Sequence, residues 1–259
     1  MEFLHLINGN NAIIFLLLFT RISGITAFFP FFSYGSIPIS IKALFAFFIT
    51  IFLFPNATLD IQNFDIITLS LAFVSELFLG LIAGTILQII FGALGLAGEQ
   101  ISFVMGFSLA SSIDPMTGVN SPVIGRFITL LALLVLLAFN GHHLILIFLS
   151  KSIGYLSLGG FYPHISVWNY ISKAVANMFI LGFVISFPII ALSLLSDVIF
   201  GMLMKTMPQF NLLVVGFPIK ITISFAVLTV ILSSIMYIFK KEFLEAINHL
   251  SILLSLIHI

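Results

Sequence analysis

The sequence predicts an all-α membrane protein: about six hydrophobic helices, interrupted once by a central segment that re-enters the helical body as a loop. Composition is the first reason, since 61% of the 259 residues are hydrophobic and only 7% are charged, where a soluble domain carries about 25% charged residues. The second is continuity. Runs such as Leu130 to Phe139 are apolar without alternation, which disfavours the period-two pattern of a membrane β-barrel. The third is a mixed stretch, Gly98 to Pro122, too polar for a lipid-facing span and too apolar for a free loop. The absence of water in the bilayer core places such a stretch inside protein or along a water-filled cavity.

With roughly 20 apolar residues per crossing, the runs are Asn11 to Phe29, Ile37 to Phe54, Ile66 to Ala97, Val123 to Leu149, Val175 to Phe200 and Leu212 to Phe239. The N-terminus reads as retained, because Met1 to Asn11 has no basic region of the secretory kind. Turn chemistry separates the runs: Pro30 to Pro38 with Tyr34-Gly35-Ser36, Pro55-Asn56, Gly159-Gly160 with Pro163 to Asn169, and Met207 to Asn211. Short links of this kind leave no room for a soluble domain. Basic residues in the loops do not fix the topology. Simple alternation puts Lys42, Arg126, Lys205 and Lys220 on one side and Lys151, Lys173, Lys240 and Lys241 on the other. Either a run is wrongly bounded or the helices do not cross in simple alternation.

Nine basic and nine acidic residues balance to zero net charge, which excludes a nucleic-acid surface. Cysteine is absent, so thiolate chemistry and Cys-based metal sites are excluded. No phosphate-cradling glycine loop, His-Glu-x-x-His or Gly-x-Ser-x-Gly occurs, and nothing makes a positive case for an enzyme, a cofactor or a metal. His142 and His143 point about 100° apart on a helix, so they cannot grip one metal as an i, i+4 pair would. Charges inside apolar runs are costly unless paired or wetted. Arg21, Glu76, Glu99, Arg126, Asp197, Lys205 and Lys220 lie in or beside such runs and read either as a relay or as interhelical pairs, snorkelling groups and assembly contacts. Gly80 and Gly84, then Gly92, Gly95 and Gly98, offer close helix approach. In the mixed stretch, Phe103, Met105, Phe107, Leu109, Ile113 and Met116 could close a hole with bulky, deformable side chains. A loop that merely packs is the alternative.

These residues, taken together, resemble a known family. Gly98-Glu99-Gln100-Ile101 leading to Met105-Gly106-Phe107-Ser108, Asp114-Pro115-x-x-Gly118-Val119, Pro122-Val123 and Ala138-Phe139-Asn140-Gly141-His142-His143 are similar to the central block of the FliR/SctT family of flagellar and type III export-gate proteins. A second block agrees: Asp197-x-x-x-Gly201, Pro208-Gln209-Phe210-Asn211 and Val215 to Lys220; a third, weaker one has Arg21 followed by Pro30 and Pro38. The resemblance implies a FliP-like part, residues 1–205, followed by a FliQ-like hairpin, residues 206–259. It implies partners: FliP-like and FliQ-like membrane subunits, other export-gate subunits of the FlhB/FlhA type, unfolded export substrates and membrane lipid. It also implies a multi-pass place in the bacterial inner membrane, in the flagellar basal body, and a gated channel for unfolded subunits rather than catalysis.

By the same resemblance the plug is the stretch from Gly106 to Pro122. Met105, Phe107, Leu109, Ile113 and Met116 would seal it, and Gly106, Asp114, Pro115, Gly118 and Pro122 would shape it. Arg21, Glu99, Arg126, Asp197, Pro208, Gly216, Pro218 and Lys220 would serve assembly. Three rivals stand beside this expectation. A secondary transporter would need matched broken helices in both halves, the virulence-type gate would share the architecture, and a purely structural membrane scaffold would leak no ions when the plug loop is mutated.

Overall fold

Stripes of apolar residues at helical spacing organise the chain, and the computed structural model, which describes residues 9–32, 37–59, 65–107, 122–161, 165–207 and 212–257, carries them on seven named α-helices. They are α1 (Gly9–Ala27), α2 (Ile39–Leu53), α3 (Ile66–Val104), α4 (Val123–Ala138), α5 (Gly141–Tyr155), α6 (Ile165–Thr206) and α7 (Phe217–Ile257). Short 3₁₀ turns at Pro30–Phe32 and Phe54–Asn56 and a π-helical turn at Leu212–Gly216 punctuate them. Among the described residues, pairing of the β type is confined to one isolated bridge, Leu59 with Leu158. Among the described residues five helices are long and apolar enough to cross a membrane, and the bent pair α4 and α5 raises the number to as many as six. The all-α membrane class expected from the sequence is therefore observed.

The chain divides into two compact units, Met1–Ile89 with Leu136–Ala174 and Glu242–Ile259, and Ile90–Val135 with Val175–Lys241. In the first, α1 buries Leu17, Leu18, Arg21, Ile22 and Ile25, a stripe that recurs every three to four residues. It meets α3 where Gly24 faces Gly80; a Cβ on Gly80 would run into the carbonyl oxygen of Arg21. Lipid gives helices no hydrophobic reason to associate, so such backbone contact supplies the dispersion that holds them. Phenylalanines join α1 to α2, with Phe15 and Phe47 edge to face at 5.6 Å.

In the second unit the end of α3 packs against α4 at Gly98 and Gly125 and against α6 at Leu96 and Gly182. Phe91 of α3 meets Phe239 of α7 edge to face at 5.1 Å. On α4, Ile124, Ile128 and Ala132 are buried at i, i+4, i+8.

Three boundaries differ from the sequence reading. The run Val123 to Leu149 is not one span, because α4 and α5 are bent by 69°. Asn140 sits at φ 59° and ψ 30° in the left-handed region, which Asn enters more readily than other side-chain-bearing residues, and Gly141 starts the next helix. His142 and His143 therefore lie in the first turn of α5, their ring centroids 4.2 Å apart. The helix begun at Ile66 continues past Ala97 to Val104, so the opening of the mixed stretch is helical; Gln100 finds a partner in the Ser186 hydroxyl at 2.7 Å. Finally α6 and α7 run to 42 and 41 residues, about 60 Å each at 1.5 Å per residue, twice a hydrocarbon core of about 30 Å.

These contacts set opposite expectations for two glycines of the same helix. Gly80→Ala forces a Cβ into fixed backbone and should cost about 1–3 kcal/mol. At Gly95 a Cβ meets nothing within 4 Å, so Gly95→Ala should hold or raise stability, by up to about 1 kcal/mol. Thermal unfolding of both variants in detergent checks the contrast.

Candidate functional site

Arg21, the one charge in α1, and Glu76, an acid of α3, lie in different apolar runs, and burial makes each require the other. Both side chains have 0% exposure. The guanidinium Nε donates to Glu76 Oε2 at 2.5 Å and Nη2 donates to Oε1 at 2.9 Å, the fork-to-carboxylate geometry of the strongest charge-assisted pairs. Nη1 donates to the carbonyls of Ser152 and Leu156 at 3.0 and 3.1 Å, adding a second donor to the Ser152 oxygen, which also accepts from the Leu156 N–H, and filling the Leu156 acceptor just past the end of α5. Glu76 Oε1 also accepts from the backbone N–H of Gly159 at 2.8 Å, and Leu158 N–H donates to the Thr58 carbonyl at 2.9 Å. One ion pair thus ties α1, α3 and the end of α5 to the turn that follows it. Arg21, expected as an assembly contact, uses its guanidinium within the chain. A lone base in one apolar run and a lone acid in another was the sequence signal for this pairing; the carbonyl and amide partners had none.

In the second unit, α3 stops where Gly106 takes φ +88°, a conformation open to glycine without strain. The Phe217 ring lies beside it, close enough that a Cβ on Gly106 would come within 3.1 Å of it. Phe107 then meets Phe225 of α7 edge to face at 6.0 Å. The Ser193 hydroxyl of α6 donates to the Val104 carbonyl at 2.9 Å and so satisfies one acceptor at the end of α3. Met105 has 0% exposure; its side chain packs inside the chain and is not presented outward in this conformation. The start of the expected plug is therefore clamped between α6 and α7. Leu109, Ile113, Asp114, Pro115, Met116 and Gly118 lie outside the described residues, as does Pro208. Pro122 is described, and its carbonyl accepts from the Arg126 N–H at 3.0 Å to begin α4.

The π-helical turn ends at buried Gly216, and exposed Pro218 stands in the first turn of α7, where a missing N–H leaves nothing unpaired. One turn later Lys220 donates to both oxygens of Asp197 on α6, at 2.7 and 2.9 Å. The ammonium side chain is 8% exposed and the carboxylate side chain 55%. An acid for Lys220, expected from a partner, is thus available inside the chain. Glu99 and Arg126 are both exposed.

Among the described residues no three His, Asp or Glu side chains gather as a metal site would require. Long apolar helices, one buried ion pair and one half-exposed pair that tie them together, and the held end of α3 define a multi-pass helical membrane protein. The bacterial export proteins, family 1, match residues 12–246. The chain belongs to that family, which its similarity to flagellar biosynthetic FliR proteins supports. It is 37% identical to the Bacillus subtilis protein of that name over 94% of this chain and 95% of the relative. It is 30% identical to the Escherichia coli one over 91% and 90%, and 29% identical to that of Aquifex aeolicus over 88% of each.

Two ion pairs give two expectations, both read by thermal unfolding of purified protein. Glu76→Ala leaves a buried guanidinium unpaired and should cost about 3–5 kcal/mol, while replacing both partners by Met and Leu should cost far less. For the second pair, Asp197→Asn strands a buried ammonium, whereas Lys220→Met leaves a half-exposed carboxylate. The first should lower the melting temperature more.

Proposed function

We propose that this chain is a subunit of the flagellar type III export gate in the bacterial inner membrane and forms part of the gated channel through which unfolded flagellar subunits leave the cell. Family membership across residues 12–246 is the observation that carries this reading, and the relatives' flagellar names favour it over a permease or a virulence-type gate. Residues 1–205 act as the FliP-like part and 206–259 as the FliQ-like hairpin. FliP-like and FliQ-like subunits complete the channel wall, and subunits of the FlhB/FlhA type adjoin it.

The chain works by closure and opening of a passage, not by catalysis. Gly106 to Pro122 is the plug, sealed by Phe107, Leu109, Ile113 and Met116, with Asp114, Pro115 and Gly118 shaping its turns. The positive φ of Gly106 and the Phe107–Phe225 contact support this by anchoring the root of the segment. Met105 serves as part of that anchor. Bulky apolar side chains in a constriction exclude water and with it ions. They also yield to an unfolded chain without a matched surface, a task to which thioethers are suited. Pro208, Gly216 and Pro218 set the path from α6 into α7, and the Asp197–Lys220 pair holds its two sides together.

Deleting residues 107–121 should leave assembly with the partner subunits intact while making the inner membrane leak ions. Co-purification with FliP-like and FliQ-like subunits reads the first, and growth and membrane potential under high external salt read the second. A tight membrane after the deletion would overturn the plug assignment.

A further inference from the structure

A proline stands inside α6, at position 188 of a helix that runs from Ile165 to Thr206. Proline has no N–H, so the Val184 carbonyl loses the partner that residue 188 supplies in a regular helix, and the ring presses on that same carbonyl. Both residues are exposed, which puts the weakened side of α6 on its outer face. On the inner face Gly182, Ile185, Ser186, Ile189 and Ser193 are buried. Membrane helices tolerate such a break where neighbouring helices and hydroxyls take up the freed groups, and bends beyond about 20° are characteristic of it.

Ser186, two residues before the proline and 0% exposed, has three acceptors within reach of one proton. Gln100 Oε1 on α3 lies at 2.7 Å, and the α6 carbonyls of Gly182 and Phe183 lie at 2.9 and 3.1 Å. A hydroxyl donates once, so a full bond to Gln100 is made at the expense of the bond along α6, and the reverse. Ser193 and Ser196, the next buried hydroxyls of α6, donate to Val104 and to Leu192 respectively. Ser186 is thus a donor with two alternatives, one on each of two helices.

The proline also divides what α6 holds. Before it, Gly182 packs on Leu96 and Ser186 reaches Gln100. After it, Ser193 donates to the Val104 carbonyl at the end of α3, and Asp197 pairs with Lys220 of α7. A change of about 20° at Pro188 moves Met202, about 21 Å further along the helix, by about 7 Å. Motion of that size draws Ser193 away from Val104.

We infer that Pro188 and Ser186 form a two-position hinge in α6 that holds or releases the end of α3. With the Ser186 proton on Gln100, the part of α6 beyond the proline lies against α3 and Ser193 holds Val104. With the proton on the Gly182 or Phe183 carbonyl, that part swings outward and the end of α3 is freed from α6. The inference rests on the export-gate reading and adds to it a moving part outside the expected plug.

The chain has no cysteine, so cysteines introduced at Phe103 of α3 and Met202 of α6, both exposed, carry spin labels at those two positions alone. Distances between the labels in the purified chain read the hinge without partners. The expected result is two populations about 7 Å apart in the labelled parent and one in Pro188→Ala. Ser186→Ala and Gln100→Leu should each shift the parent toward the longer distance, and their combination should shift it no further, because both remove the same bond. A single distance that none of these substitutions changes overturns the hinge, as does an additive effect of Ser186→Ala and Gln100→Leu.

Secretion of flagellar subunits from cells that carry this chain as their sole copy reads the consequence. Pro188→Ala should lower it roughly 3- to 30-fold, the population change that one membrane hydrogen bond commands, with the complex with FliP-like and FliQ-like subunits recovered as in the parent. If the parent chain supports no secretion, the export-gate reading falls. If Pro188→Ala secretes as well as the parent, the gate reading stands and the hinge is rejected. If Pro188→Ala fails to assemble, the label distances in the isolated chain decide.

Discussion

A guanidinium inside an apolar bundle has to be neutralised and its N–H groups filled, and in the first unit nearly every connection follows from how that is done at Arg21. Glu76 supplies the charge, Ser152 and Leu156 supply carbonyls, and Gly159 completes the carboxylate. Helix, helix, helix end and turn must each be in place before the group is satisfied. The partners stand 55 to 135 residues away along the chain. A bundle of lipid-soluble helices could slide among many arrangements of similar dispersion energy. An ion pair that is tolerable in only one of them picks a single register.

Glycine contacts and polar rungs work with that constraint. Where Gly24 meets Gly80 and Gly98 meets Gly125, the backbones come close enough for dispersion to add up over many atoms. Ser193 and Gln100 then place single hydrogen bonds between α3 and α6, each of modest strength in a membrane interior, about 0.6–2 kcal/mol. The end of α3 is thereby held on several sides at the point where the regular helix gives way to the segment between α3 and α4.

The helical class and the approximate spans were legible from hydropathy alone, because long apolar runs with proline and glycine between them have few other uses. Boundaries were less so. Asn140-Gly141 reads as part of an apolar run until the left-handed conformation of Asn140 turns it into a corner, and Gly98 to Val104 reads as loop until tertiary partners extend the helix. Arg21 and Glu76 were visible as lone charges of opposite sign, yet their pairing across 55 residues is a three-dimensional fact that no local pattern encodes. Met105 shows the same limit in reverse: its residue type suited a gate, whereas its burial comes from how α3 ends.

The Arg21 cluster also bears on how the protein is made. Synthesis delivers α1 first, with a buried base whose acid follows 55 residues later and whose carbonyl acceptors follow after more than 130. At about 5–20 residues per second, the arginine waits roughly 3–11 s for Glu76 and longer for the end of α5. An arginine left against lipid in that interval costs several kcal/mol, and its full set of acceptors exists only once α3 and the end of α5 have followed α1.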